Sequence, residues 1–283
     1  MNRTVRRGSL ALALAGTLTA VCLAAAEAGQ DRPDPSAGPR PGNAAGSPLL
    51  DVDYRDGSLN SGIPELTTTH ATAKDASYTV DSGDDHAVAH KVTLGDPGYE
   101  SDGAPRSESA TNEVPEGIFH VGDERRYEFS VLLKDWKLYE EGGSESGDIL
   151  FQGKHAGGNW PSFYLMAKRN SISFRSPTLE LQADVVGDFR SYVNKWMRFR
   201  VDVRWTEDKT GYYKISTRMP GESDFTLRKT YENVQTFHPK NPAEFGYIKW
   251  GLYRPDQTVD NGDVPTRIVQ HDDIRVEELG GGR

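Results

Sequence analysis

The stretch Tyr247-Ile248-Lys249-Trp250-Gly251-Leu252-Tyr253-Arg254 carries two chemically different faces in strict alternation. Read as a β-strand, it points Ile248, Trp250 and Leu252 one way and Tyr247, Lys249 and Tyr253 the other. The apolar set belongs in a core. On the opposite face stand two phenols and an ammonium, and Gly251 is expected to leave open space between Lys249 and Tyr253. A phenol ionises near pH 10, and a neighbouring cation favours its charged form, so this row could hold a polyanion and move a proton. Two further stretches carry related chemistry. Arg106 and Glu108, in Pro105-Arg106-Ser107-Glu108, share one face of a strand. Glu108 would then hold the Arg106 guanidinium rigid so that it can fork onto a substrate carboxylate. The alternative is a surface ion pair worth little. Asp148-Ile149-Leu150-Phe151-Gln152-Gly153-Lys154-His155 is an apolar strand ending in a polar cluster. Simple alternation groups Gln152 with Lys154 and turns His155 away, whereas a β-bulge at Gly153 would bring His155 to the side of Gln152.

Short strands must position these residues, because helical periodicity is nearly absent. Tyr127, Phe129, Val131 and Leu133 alternate with Glu128 and Ser130; Phe199, Val201, Val203 and Trp205 alternate with Arg198, Arg200, Asp202 and Arg204. Turn clusters such as Asp208-Lys209-Thr210-Gly211 and Pro220-Gly221 separate the runs, and a hairpin is expected at Arg169-Asn170. This spacing predicts an all-β chain, a two-sheet antiparallel β-sandwich with Ile248, Trp250, Leu252, Phe199, Val201 and Val203 in its core. The arginines opposite Phe199, Val201 and Val203 are expected on a solvated outer face. No repeat period and no phosphate-cradling glycine loop is present.

The chain of 283 residues opens with Arg3, Arg6 and Arg7, an apolar run over about residues 10–26, and the small-residue pattern Ala26-Glu27-Ala28. This predicts a signal peptide over 1–28 and a secreted, extracellular protein, by the general export route rather than a twin-arginine one. Cys22, the single cysteine, falls inside that segment, so the mature chain is expected to hold no disulfide. Residues 29–48 are rich in Pro, Gly, Ala and Ser and read as a flexible linker. Residues 49–283 then form one domain with one large core. The formal charge of −9 argues against nucleic-acid and membrane partners, although a locally basic groove on an acidic protein could still take an acidic substrate. A monomer is expected.

With Arg-Ser-Glu at 106–108, Gln152 followed closely by His155, and Tyr-Ile-Lys-Trp-Gly-Leu-Tyr at 247–253, the order of motifs resembles the jelly-roll polysaccharide lyases. These are the alginate lyase, glucuronan lyase and heparin lyase I-like families, and the resemblance spans about residues 50–278. It implies a concanavalin-like β-jelly roll whose concave face carries the three motifs. By resemblance His155 would be the base or a carboxylate neutraliser and Tyr253 the acid. Arg106, Gln152 and Lys249 would bind the carboxylate and neighbouring subsites, with Tyr247, Lys154, Glu108 and Arg254 also on the substrate. The chain departs from the pattern in separating Gln152 and His155 by two residues instead of one. Either a bulge at Gly153 restores the geometry or Lys154 occupies the place of the histidine. Trp250 and Arg254 bring the strand nearer to the glucuronan and heparin lyase-like families, which implies glucuronate rather than alginate.

The residue types suit the implied chemistry. Cleaving a 4-linked uronate by β-elimination needs donors that neutralise the carboxylate, a base for the C5 proton and an acid for the O4 leaving group. No cofactor is required for catalysis and no catalytic metal is expected. A structural Ca²⁺ is conceivable if Asp51 or Asp53 meets Asp272 or Asp273 on adjacent terminal strands, the alternative being solvated carboxylates. A glycoside hydrolase would need two carboxylates across the bond, and no strand presents Glu-x-Asp-x-x-Glu. A non-catalytic, lectin-like carbohydrate-binding module could use Trp160, Tyr164 or Tyr247 for stacking but would not need His, Tyr and Lys together.

Overall fold

The alternating apolar runs do form strands along the whole described chain. The computed structural model describes residues 47–83 and 85–280, so the expected signal peptide and nearly all of the linker lie outside the described residues. In chain order the strands are β1 (Leu50–Val52), β2 (Ser77–Ser82), β3 (Asp85–Thr93), β4 (Glu100–Ser101), β5 (Ala104–Ala110), β6 (Ile118–Phe119), β7 (Glu124–Lys134) and β8 (Gly147–His155). They continue as β9 (Pro161–Lys168), β10 (Ser171–Ser176), β11 (Leu181–Val186), β12 (Met197–Arg204), β13 (Gly211–Arg218), β14 (Thr226–Val234), β15 (Gly246–Tyr253) and β16 (Thr266–Glu278). The helices among the described residues are short 3₁₀ turns, and none is long and apolar enough to cross a membrane.

One antiparallel sheet runs β14-β13-β12-β7-β16-β3-β2 with β1 paired to β16; the second runs β11-β10-β9-β8-β15-β5-β4 with β6 on β15. Their apolar faces meet. Ile248, Trp250, Leu252, Phe199, Val201 and Val203 are fully buried between them, where their alternation places them. Phe129 of β7 stacks on Phe151 of β8 at 3.9 Å between ring centroids, and Phe119 of β6 stacks on Trp205 at 3.8 Å. Each such ring contributes about 1.5–3 kcal/mol through the area it removes from water. The β9–β10 hairpin turns at Arg169 and Asn170, with Arg169 in the left-handed region at φ 54°.

The arginines of β12 face away from this core as expected, and two of them, Arg198 and Arg200, are ion-paired across strands. Arg200 meets Glu128 at 2.6 Å and Arg198 meets Asp273 at 2.9 Å. Beside β1, Asp51 is turned to Arg275 at 3.1 Å. Of the carboxylates offered as calcium ligands, Asp51, Asp53 and Asp273 are therefore engaged by guanidinium groups. Among the described residues no three acidic or histidine side chains gather as a metal site.

Histidines 90, 155 and 271 are buried, and His90 and His271 meet edge to face at 6.1 Å inside the sandwich. Burial pulls His90 and His155 down to about 4 and holds His271 well below its ordinary value. The unfolded chain takes up these protons near pH 6.5, whereas the fold refuses them until about pH 4. Between those values the unfolded state binds more protons, so stability falls as pH falls, by up to about 1.4 kcal/mol per histidine and pH unit. Melting curves should show Tm dropping steadily from pH 7 to pH 4.5. A flat profile over that window would contradict the buried, neutral assignment.

Candidate active site

The register around β15 brings the predicted residues of three motifs onto the outer face of the second sheet. Across β5 and β15, Tyr253 stands opposite Arg106 and Gly251 opposite Glu108. Across β15 and β8, Lys249 stands opposite Gln152 and Tyr247 opposite Lys154. Tyr164 of β9 completes the row beside Gln152. Because β-strands alternate, Phe151, Ile248, Trp250 and Leu252 in the core require Gln152, Tyr247, Lys249 and Tyr253 on the outer face.

Glu108 sits at the centre and does something other than expected. It does not clamp Arg106: its Oε2 accepts from Lys249 Nζ at 2.6 Å and its Oε1 from Gln152 Nε2 at 2.5 Å. All three side chains are nearly fully buried. Burial pushes the Glu108 carboxyl up, but the Lys249 ammonium, helped by Arg106 and Gln152, wins and holds it below the usual carboxylate range. Lys249 is thus spent on Glu108 rather than free for a polyanion. Arg106, two residues along β5, lies instead over the Tyr253 ring at 4.1 Å and within 3.5 Å of Asp102. Its Nε is buried with no hydrogen-bond partner among the described residues.

Tyr253 therefore has Arg106 as its facing cation in place of Lys249. Burial raises its pKa, with Arg106 opposing and Glu108 reinforcing, so the phenol keeps its proton at neutral pH instead of moving toward ionisation. Burial, with Glu108 and Asp102, likewise pushes Tyr247 up to about 12. Lys154 is half-buried, its Nζ donating to the Asn159 carbonyl. Burial first, then the Lys249 charge, pulls it down and so raises its neutral fraction. The charge of Arg106 bears on Glu108, Lys154, Tyr247 and Tyr253 alike, as one shared site requires.

His155 lies on the other side of the sheet. The bulge exists, but its extra residue belongs to β9: Gly153 pairs with Phe163 and Lys154 with Pro161, leaving Ser162 unmatched. Strand β8 keeps its alternation against β15 from Gln152 to His155. His155 therefore points inward, with its ring 4.5 Å from that of Phe237 and its Nε2 2.5 Å from the Ser162 hydroxyl. That hydroxyl donates onward to the Thr236 carbonyl at 2.8 Å, so it accepts from the imidazole. Gly153 has a packing reason, since a Cβ there would stand 2.6 Å from Phe163 Cε1.

Two other expectations are corrected. Gly251 does not open space for a sugar; at φ 143°, a Cβ would strike the Ser107 carbonyl oxygen and come within 2.7 Å of Glu108 Cα. Its role is to let β15 approach β5. Arg254 is fully buried and structural, its guanidinium donating to Asp148 at 2.9 Å, Gln257 at 2.6 Å and the Val264 carbonyl at 2.7 Å. A cavity of about 300 Å³ lies at that end of the sandwich, lined by Trp136, Tyr139, Asp148, Gln257 and Arg267 among others, and not on the motif-bearing face. Asp102 and Arg175 escaped the sequence reading. Arg175 lies 5.7 Å over Tyr164, and the alternation of Ser171 to Ser176 in β10 could have revealed it. Asp102 sits in a turn at φ 49°, which no periodicity marks.

The sequence matches the Polysaccharide lyase family over residues 38–275. Among solved structures, the endo-β-1,4-glucuronan lyase of the fungus Trichoderma reesei superposes with a TM-score of 0.56 at 20% identity, covering 82% of this chain and 96% of that one. The PL-14 alginate lyase of Aplysia kurodai superposes with a TM-score of 0.55 at 14% identity, covering 83% and 100%. Among curated proteins no sequence matches. The structural likenesses establish the two-sheet jelly roll, and the family match takes in both sheets and every strand of the motif-bearing face. On that ground the chain belongs to the Polysaccharide lyase family and is a polysaccharide lyase.

Proposed function

We propose that this lyase cleaves a 4-linked uronate-containing polysaccharide by β-elimination, with a glucuronate polymer as its first candidate substrate. The observation that carries the reading is the unpartnered buried Nε of Arg106 on the face that also presents Gln152, Lys154 and Tyr253. On this face, where amide, amine and phenol converge beside it, a uronate carboxylate would give that donor a charge-assisted acceptor. With Lys249 held by Glu108, Arg106 and Arg175 are cations that this face can offer a polyanion.

In this mechanism Arg106 and the Gln152 amide draw charge from the carboxylate, which acidifies the C5 proton. Lys154 in its neutral form takes that proton. The electron pair becomes the C4–C5 double bond, the C4–O4 bond breaks, and Tyr253 protonates the departing O4. A lysine lowered by burial and a tyrosine raised by it suit base and acid respectively. The fungal endo-β-1,4-glucuronan lyase shares the architecture, which is why glucuronate comes first. The basic start of the sequence and its apolar run support export, so the enzyme would act outside the cell.

The test is to incubate the purified chain with glucuronan, alginate and heparin-type polymers and follow ultraviolet absorbance from an unsaturated non-reducing end. Absorbance should grow on at least one of them, first on glucuronan. Polymer shortened without that absorbance, or no cleavage of any uronate polymer, would overturn the uronate β-elimination reading.

A further inference from the structure

We propose that Trp160 and Lys240 form a second sugar-binding subsite beyond the cleavage site, taking a uronate residue remote from the bond that is cut; this rests on the lyase reading above. Trp160 is 54% exposed, the largest aromatic side chain left to solvent among the described residues. Lys240 Nζ stands 5.3 Å from its ring centroid. The ammonium lies over one face of the indole, and the exposed remainder of the ring offers an apolar plate next to that charge. A pyranose ring can lay its C–H face on the indole while its carboxylate meets the ammonium, so the pair matches the two halves of a uronate.

The position fits an extended substrate. Trp160 directly precedes Pro161, which pairs with Lys154 on β8. Gln152 and Lys154 are about 7 Å apart along that strand, and Trp160 lies beyond Lys154, so its sugar is not the one held at Gln152.

The loop is also built to hold still. Gly157 and Gly158 take φ values of 72° and 71°, giving the tight return that brings Asn159 inward. Asn159 is 2% exposed; its Nδ2 donates to the Ala156 and Asn241 carbonyls at 2.8 and 3.1 Å, and its Oδ1 accepts from Asn241 N–H at 2.7 Å. Those bonds tie the segment bearing Trp160 to the segment bearing Lys240. The Asn159 carbonyl accepts from Lys154, which links the platform to the site. Ordering an exposed loop costs backbone entropy, and a platform already fixed binds without meeting that cost again.

The experiment compares wild type with Trp160→Ala, Trp160→Phe and Lys240→Gln on the uronate polymer that the wild type cleaves and on its trisaccharide. Trp160→Ala should lower the polymer-to-trisaccharide ratio of kcat/KM about tenfold, mainly through KM, with Trp160→Phe restoring most of it. Lys240→Gln should flatten the rise of polymer KM with salt. Melting temperatures checked alongside separate this from a folding defect. An unchanged ratio in Trp160→Ala would overturn the proposal. Retention of each protein in a gel containing glucuronan supplies a readout independent of turnover. If wild type cleaves nothing yet is retarded more than Trp160→Ala, the subsite stands while the β-elimination reading falls; equal migration overturns the subsite.

Discussion

Tyr253→Phe should lower kcat by about 10² to 10⁴ while leaving polymer binding and Tm nearly unchanged. The substitution removes the hydroxyl alone. The ring that lies 4.1 Å under the Arg106 guanidinium stays, and so does the packing that orders both side chains. Burial raises the Tyr253 pKa above its ordinary 10, so the phenol is protonated over the whole neutral range and can serve as the acid for O4. Lys154, pulled below its usual value, must lose its proton to act as base. Rate should therefore climb with pH as Lys154 deprotonates, and fall only when Tyr253 ionises on the far alkaline side. Lys154→Met should remove the rising limb along with most of the turnover. A Tyr253→Phe enzyme that cleaves a confirmed substrate at near wild-type rate would sink the acid assignment. The stability readout matters because a packing role alone would be preserved by Phe.

The strand content and the two-sheet packing were legible because period-2 alternation is a local property that each strand carries by itself. Ile248, Trp250 and Leu252 announce a buried face without reference to any partner. Roles were less legible wherever they depend on register between strands. Glu108 lies two residues from Arg106 in sequence, a spacing that suggests a pair, yet antiparallel register sets it opposite Gly251, within reach of Lys249 and Gln152. A carboxylate pairs with the nearest cation in space, and spacing along one strand does not measure that distance. The inward orientation of His155 has the same origin. Gly153 signalled an irregularity correctly, but a bulge is shared by two strands, and the extra residue is Ser162 on the partner. Arg254 continued the motif in sequence while the chain left the sheet after Tyr253, carrying its guanidinium into the end of the sandwich to neutralise Asp148.

Glu108→Leu should destabilise the protein by about 3–5 kcal/mol, because it leaves the Lys249 ammonium unpaired in a site only 5% exposed. It also frees the Gln152 amide, whose Nε2 is held by the same carboxylate. Both losses follow from one group's position, which makes a double-mutant cycle informative. Lys249→Met alone strands a buried carboxylate and should cost a similar amount. The double variant Glu108→Leu/Lys249→Met removes both charges, and replacing a buried ion pair by apolar groups of similar size is often neutral, so most of the stability should return. Turnover should not return with it, since Gln152 no longer has its anchor. The pH dependence carries the same signature. A carboxyl held below its unfolded value adds stability above about pH 4.3, which is lost as pH falls through the folded value. Glu108→Gln should delete that part of the acid limb and leave the histidine part in place. Additive single-variant losses in the cycle, with no recovery in the double, would mean that Glu108 and Lys249 do not form a buried pair. A double variant that regained turnover as well as stability would show that the pair serves the fold alone and that Gln152 needs no support from Glu108.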